Sequence, residues 1–165
     1  KPEYSYHPDD IVNNLSLVLD DVQDPGNFGT IIRLADWFGI RDVFCSVHSA
    51  DVYSPKTIQA TMGAIARVRV HYTSLTAFLE NIKGKLPVYG TFMNGNNIYN
   101  DTLSQNGIII MGNEGHGISA GVENYVTRKI TIPAYQDTFK TSESLNVGIA
   151  TAITVAEFRR RMFIQ

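Results

Sequence analysis

The sequence predicts an α/β domain built on a mostly parallel sheet with helices on both faces, and three observations predict it. Six apolar, β-branched runs recur along the chain, at 15–22, 42–46, 67–72, 88–93, 108–111 and 129–132. Amphipathic or apolar helical patterns separate them, which is the alternation expected of parallel strands joined by helical crossovers. The chain has 165 residues, 44% of them hydrophobic, enough for one full α/β core and too few to promise two.

Each element follows from local chemistry. Residues 1–14 are polar and contain proline, and they are expected as an N-terminal tail or linker of the kind that follows an upstream domain; residues 15–165 are expected as the folded domain. After the first strand, Asp24-Pro25-Gly26-Asn27 is a turn, with Asn27 placed to cap a helix over 28–38. The second strand contains the sole cysteine, Cys45, in the run Val43-Phe44-Cys45, which suits a buried thiol in a reduced, cytoplasmic protein. Further helices are expected at 56–62, 75–82, 120–125 and 145–162. The last is apolar on nearly every side through Val147, Ile149, Ala150, Ala152, Ile153, Val155 and Ala156, so more than one of its faces must be covered, in the interior or at a subunit interface.

Composition removes several function classes. A formal charge of -2 and a pI near 6.1 give no bulk attraction to nucleic acid, so any such contact must come from local patches. No apolar stretch reaches the roughly 20 residues of a membrane span, and the polar start lacks the apolar core of a signal peptide. His7, His48, His71 and His116 are scattered without metal-ligand spacing, so no metal is expected. The Gly-Lys-Ser or Gly-Lys-Thr ending of a phosphate-binding P-loop is absent as well.

Three segments carry polar groups where an α/β protein keeps its ligand. In the first, Gly29 falls in the opening turn of the 28–38 helix and Arg33 lies four residues later, above a position without a side chain. This predicts an open notch beneath a guanidinium, which either pairs with Asp20, Asp21 or Asp36 or serves a phosphate or reacting hydroxyl. In the second, Met111-Gly112-Asn113-Glu114-Gly115-His116-Gly117 leaves a buried strand by a loop where backbone can approach a ligand. Its glycines read G-x-x-G-x-G, unlike the dinucleotide fingerprint, and the Glu114 carboxylate would repel a pyrophosphate; a nucleoside without phosphates fits better. Glu114 either works as a general base or is solvated or caps the next helix. In the third, Ile132-Pro133 ends a strand and Ser142-Glu143-Ser144-Leu145-Asn146-Val147 enters the last helix, with Ser144 placed as its cap and Asn146 as an amide in need of partners.

Taken in this order, the three segments resemble the signature motifs of the SpoU/TrmH family of RNA ribose 2'-O-methyltransferases, within the SPOUT class. Asn27, Gly29 and Arg33 match the first motif, Ile109-Ile110-Met111-Gly112-Asn113-Glu114-Gly115 the second, and Ile132-Pro133 with Glu143-Ser144-Leu145-Asn146-Val147 the third. Thr61-Met62-Gly63-Ala64 is similar to a subsidiary element between the first two. The resemblance spans 15–163. It implies a sheet whose C-terminal part is threaded into a deep trefoil knot, S-adenosylmethionine as methyl donor held at Met111, Gly112, Asn113, Ile132, Ser144 and Leu145, and a homodimer through the last helix with Arg33 reaching the partner's cofactor. Two departures stand out: residues 134–142, with Tyr135 and Phe139, lengthen the loop before the third motif, and the N-terminal RNA-recognition domain of many relatives has no counterpart in 1–14.

By the same resemblance Arg33 orients the ribose hydroxyl and its neighbouring phosphate, while Asn27, Glu114, Ser144 and Asn146 shape the site. A 2'-OH is a weak nucleophile that must be aligned with the methyl group and lose its proton as it attacks. The sulfonium leaves as a neutral thioether, so the chemistry asks for no metal. RNA, tRNA or rRNA, is the expected partner, met by a local set drawn from Arg33, Arg41, Lys56, Arg67, Arg69, Arg128 and Arg159-Arg160-Arg161, the last run being explained by a helix C-terminus. The competing readings are a non-catalytic RNA-binding or dimerisation module with the same fold, and a knotted methyltransferase acting on a base nitrogen.

Overall fold

The computed structural model describes residues 3–135 and 144–163. Strands β1 (Leu15–Leu19), β2 (Asp42–Cys45), β3 (Arg69–Tyr72), β4 (Val88–Asn97), β5 (Gly107–Met111) and β6 (Arg128–Thr131) form one sheet in the order β3-β2-β1-β5-β4-β6. All the pairings are parallel. The helices are α1 (Pro8–Val12), α2 (Pro25–Trp37), α3 (Pro55–Thr61), α4 (Leu75–Asn81), α5 (Ala120–Glu123) and α6 (Val147–Arg160), with a single 3-10 turn at Ala64–Ala66.

Register explains the two-sided core. Leu17 lies opposite Val43 and Ile109, and Val18 opposite Phe44 and Ile110. Because successive side chains point to opposite faces, Leu17, Val43 and Ile109 pack with Phe28, Ile31 and Ile32 of α2 and Val155 and Phe158 of α6. On the other face Val18, Phe44 and Ile110 pack with Leu75, Phe78 and Leu79 of α4 and Val122 of α5. Both faces are therefore covered, which is why the strands read as unbroken apolar runs.

The topology fixes where a ligand can sit. The chain steps outward from β1 to β2 and β3, then crosses to β4 and returns to β5 beside β1. The loop leaving β1 runs to α2 on one face, and the loop leaving β5 runs to α5 on the other. The two loops diverge at the carboxyl ends of adjacent strands, where open α/β sheets keep their crevice.

Three sequence expectations bear on the fold, and the first of them changes. The segment read as a tail packs on the domain: Ile11 of α1 is fully buried among the α4 residues, and the Tyr6 ring meets Phe44 edge-on at 5.1 Å and Phe78 at 6.0 Å. A hydrophobic residue one turn into a short helix sufficed for this, and it was hidden among polar neighbours. The last helix is covered on one side only: Val147, Thr151, Val155 and Phe158 are buried, whereas Ile149 is 55% exposed and Leu145, just before the helix, 51%. Residues 136–142 of the lengthened loop, Phe139 among them, and Glu143 lie outside the described residues. The chain from β6 to α6, where the resemblance places a knot, runs through them.

Candidate functional site at the carboxyl ends of β1 and β5

Helix α2 begins at Pro25, and its cap is Asp24, not Asn27. The Asp24 carboxylate accepts the N–H groups of Gly26 (3.2 Å) and Asn27 (3.4 Å). An Asp followed by Pro is the stronger start signal, because proline at the first helical position has no N–H to satisfy. Asn27 is thereby freed for other work. Its Oδ1 accepts a hydrogen bond from Asn146 Nδ2 at 2.9 Å, joining the first and third segments across 119 residues.

Asn146, not Ser144, caps α6, its Oδ1 accepting the Ile149 N–H at 3.1 Å. The residue that looked like a buried amide inside the helix is the helix start, and both ends of its side chain are occupied. Ser144 and Leu145 are exposed just before it. Gly148 brings α6 close to α2: a Cβ there would lie 3.5 Å from the Thr30 Cγ2 and 3.7 Å from the Asn27 Oδ1.

The expected notch at Gly29 is filled. A Cβ on Gly29 would lie 2.5 Å from the Ala60 Cβ and 2.6 Å from the Thr57 carbonyl oxygen, so the glycine is there to let α3 approach α2. Arg33 nonetheless stands clear. It is exposed and, among the described residues, has no hydrogen bond or ion pair. The carboxylates that were candidates to hold it are engaged elsewhere: Asp36 with Arg67 at 2.8 Å, Asp20 with the Ser119 N–H at 2.7 Å, and Asp21 with the Gln23 amide at 3.2 Å. Among the described residues Arg33 is therefore paired with none of the three carboxylates that were candidates to hold it.

The second segment is a clasp on the first. Residues 113–117 form a tight hairpin in which Asn113 and Gly117 exchange both backbone hydrogen bonds, at 3.0 and 2.9 Å. Gly112 must be glycine, since a Cβ would sit 2.3 Å from the Gly117 carbonyl carbon. The Asn113 Oδ1 accepts the N–H groups of Gly115 and His116, and its Nδ2 donates to the Asp21 carbonyl at 2.8 Å. The Glu114 carboxylate accepts the N–H groups of Gln23 (3.3 Å) and Asp24 (3.1 Å). It is therefore neither merely solvated nor a cap of α5. Asp21, which sequence reading passed over except as an ion-pair candidate, has φ +62°, a conformation that costs a non-glycine residue about 1 to 2 kcal/mol. Asn113 and the Ser46 hydroxyl, which accepts the Asp21 N–H at 2.9 Å, hold it there.

This arrangement has an electrostatic consequence. The N–H groups of residues 23, 24, 26 and 27 are all taken by the carboxylates of Glu114 and Asp24. The start of α2 is negatively decorated and its donors are used, so it is not the phosphate cradle that helix starts provide in many α/β proteins. An anion approaching α2 meets the Arg33 side chain instead.

Around the sheet end the remaining predicted contacts separate. Met111 is buried, its sulfur 3.8 Å from the Thr91 hydroxyl, which also donates to the Ile110 carbonyl. The backbone N–H groups of Gly112, Ile132 and Leu145 take no backbone partner among the described residues. The Asn113 side chain, by contrast, is wholly engaged within the protein.

Most of the expected basic contacts are tied down. Arg67, Arg69 and Arg128 pair with Asp36, Asp42 and Asp101. Arg159 donates to the Phe38 carbonyl, and Arg160 and Arg161 hold Glu157. Hydrogen bonding from Arg160 outweighs burial and, with Arg161, holds the Glu157 carboxyl down at about 2. The run at 159–161 is architectural, as a helix-end reading suggested, although its partners include the end of α2 as well as its own helix. Arg33, Arg41 and Lys56 remain without partners among the described residues. Burial pushes the Cys45 thiol far above its ordinary range, so it is inert.

The SpoU rRNA Methylase family model matches residues 14–156. The 23S rRNA (guanosine(2553)-2'-O)-methyltransferase RlmP of Bacillus subtilis is 34% identical over 145 residues, covering 87% of this chain and 57% of that protein. The 23S rRNA (guanosine-2'-O-)-methyltransferase RlmB of Neisseria meningitidis is 28% identical over 167 residues, covering 96% and 65%. The chain thus spans roughly three fifths of the length of these relatives. Among solved structures, a TrmH-family protein from Porphyromonas gingivalis is 48% identical with a TM-score of 0.83, covering 90% of this chain and 60% of that one. The SpoU methyltransferase AviRb from Streptomyces viridochromogenes, in complex with AdoMet, is 25% identical with a TM-score of 0.82, covering 91% and 58%. With the matched region running from before β1 to within α6, and so containing all three linked segments, the chain belongs to the SpoU rRNA methylase family.

Proposed function

We propose that this domain transfers a methyl group from S-adenosylmethionine to a ribose 2'-OH of RNA, with ribosomal RNA the favoured substrate class because relatives acting there are similar over nearly the whole chain. The observation that carries the reading is Arg33, exposed and without a partner among the described residues, on a helix whose start is bound both to the β5 loop, through Glu114, and to the start of α6, through Asn146. The open main-chain groups of Gly112, Ile132 and Leu145 fit the cofactor, with Ser144 at the rim. Bound there, it supplies an electrophilic methyl group on a sulfonium. Arg33, permanently charged, holds the phosphate beside the target ribose and directs the 2'-oxygen toward the methyl group that the cofactor of a second copy would supply. Glu114 and Asn113 fix the turn that launches α2. Asn27 and Asn146 keep α2 in register with the cofactor loop.

A second copy of the chain completes the assembly in this reading. Ile149 and Ala156 lie on one exposed side of α6, with Leu145 exposed just before it, and a partner would cover them. The path from β6 to α6 is taken as the knotted crossing of this fold class, and residues 15–165 as the methyl-transfer domain.

The test is Arg33→Ala. Transfer of labelled methyl from S-adenosylmethionine to separated rRNA and tRNA pools should be abolished, while calorimetric titration shows cofactor affinity within about two-fold of the parent. Nucleoside digestion should place the methyl of the parent reaction on ribose. Full turnover by a folded Arg33→Ala protein would overturn the role of Arg33. Absence of cofactor binding by the parent chain would favour a non-catalytic module.

A further inference from the structure

The sole tryptophan of the chain, Trp37, is 82% exposed near the end of α2. A single exposed apolar side chain is ordinary. This one lies on the same helix face as Thr30 and Arg33, all three exposed, and only about one turn, about 6 Å along the axis, beyond Arg33. The indole has no hydrogen-bond or ring partner among the described residues. α3 flanks this face through the Gly29 contact, and α6 flanks it on the other side at Thr30.

Charge narrows the occupant. The only acidic residue within α2 is Asp36, already bound to Arg67, and α3 has none. α2 instead presents the exposed cation Arg33 and α3 the exposed cation Lys56, neither with a partner among the described residues. A polyanion neutralises such cations. An exposed aromatic plane beside open cations is the combination that binds single-stranded nucleic acid, the bases stacking and the backbone phosphates pairing.

We propose that Trp37 is a stacking platform for a base flanking the target nucleotide, on a single-stranded RNA whose phosphate Arg33 holds. The proposal rests on the ribose methyl-transfer reading and extends it by a residue that lies outside the three linked segments. It gives the strand a direction along α2, from the Arg33 end toward the helix C-terminus, and it explains an indole left in water.

Because Trp37 is the only tryptophan, its emission reports on itself. The full chain is titrated at low salt with a mixed-sequence single-stranded RNA oligonucleotide, following indole emission and the anisotropy of an end label together. Emission should be quenched in parallel with binding. Trp37→Ala should weaken RNA binding about ten-fold, Trp37→Phe should recover most of it, and calorimetric S-adenosylmethionine affinity should be unchanged in both. RNA binding without quenching, or no RNA binding at all, would overturn the proposal. So would emission that becomes shielded from acrylamide as protein concentration rises in the absence of RNA, which would show that a second copy covers the indole. If the chain binds S-adenosylmethionine but Trp37 does not respond, only this inference fails; loss of cofactor binding in the parent chain is the separate failure of the methyl-transfer reading.

Discussion

Asn113 uses its whole amide to fasten one loop to another. Its oxygen closes its own hairpin and its nitrogen holds the Asp21 carbonyl of a left-handed residue, and Glu114 beside it takes two N–H groups of the same turn. Removing either side chain leaves backbone groups unpaired and lets the strained turn relax. Asn113→Ala and Glu114→Ala are each expected to cost about 1 to 2 kcal/mol in stability and to lower methyl transfer by up to about a hundred-fold through displacement of α2. Cofactor affinity should change little, and the loss of transfer in each variant should be smaller than in Arg33→Ala. Steady-state kinetics with calorimetry on the three single variants checks this. Asp21→Gly is expected to stabilise the Asn113→Ala protein, because glycine occupies the left-handed region freely, as denaturant titration would show.

At the scale of elements, two contacts hold α2 in place on its flanks. Gly29→Ala places a methyl 2.5 Å from the Ala60 side chain, so α3 must move away. A loss of roughly 1 to 3 kcal/mol is expected from such overpacking, read as a lowered midpoint in thermal unfolding. Asn146 serves α6 as a cap and α2 as a tether, and two substitutions separate those tasks. Asn146→Ala removes both and should cost about 1 kcal/mol or somewhat more. Asn146→Asp keeps the capping oxygen but loses the donor to Asn27, so stability should stay near the parent while kcat falls. Equal loss of stability in the two variants would contradict the separation.

The whole molecule is closed at the far end of α6. Glu157, buried and gripped by Arg160 and Arg161, ties the last turn together, and Arg161 continues to the carbonyls of Ile98, Tyr99 and Asp101. Its carboxyl is held at about 2, below the ordinary value of 4.5. The contribution of this lowered group is complete above about pH 4.5 and is lost as pH falls through about 2. Glu157→Gln should therefore destabilise the protein by about 2 kcal/mol at neutral pH, with the difference narrowing below pH 4.5; urea unfolding of both proteins across the acid range measures it.

Periodicity and turn chemistry determined by themselves the six strands, the order of helices between them and a sheet covered on both faces, because a strand buried on both sides has no room for polar residues. They also marked Arg33, Glu114 and Asn146 as residues out of keeping with their surroundings. Only the tertiary structure decided which partners the side chains of Glu114 and Asn146 take. The cap of α2 is Asp24 and not Asn27, a start that the Asp-Pro pair marks in the sequence itself, whereas that of α6 moved from Ser144 to Asn146 because a helix start depends on backbone direction, which composition does not encode. The notch under Arg33 vanished because α3, from another part of the chain, fills it. Glu114 found partners 90 and 91 residues away. Such pairings are set by which strands lie side by side, and that order, with β5 returning next to β1, is a property of the folded sheet rather than of any segment in it.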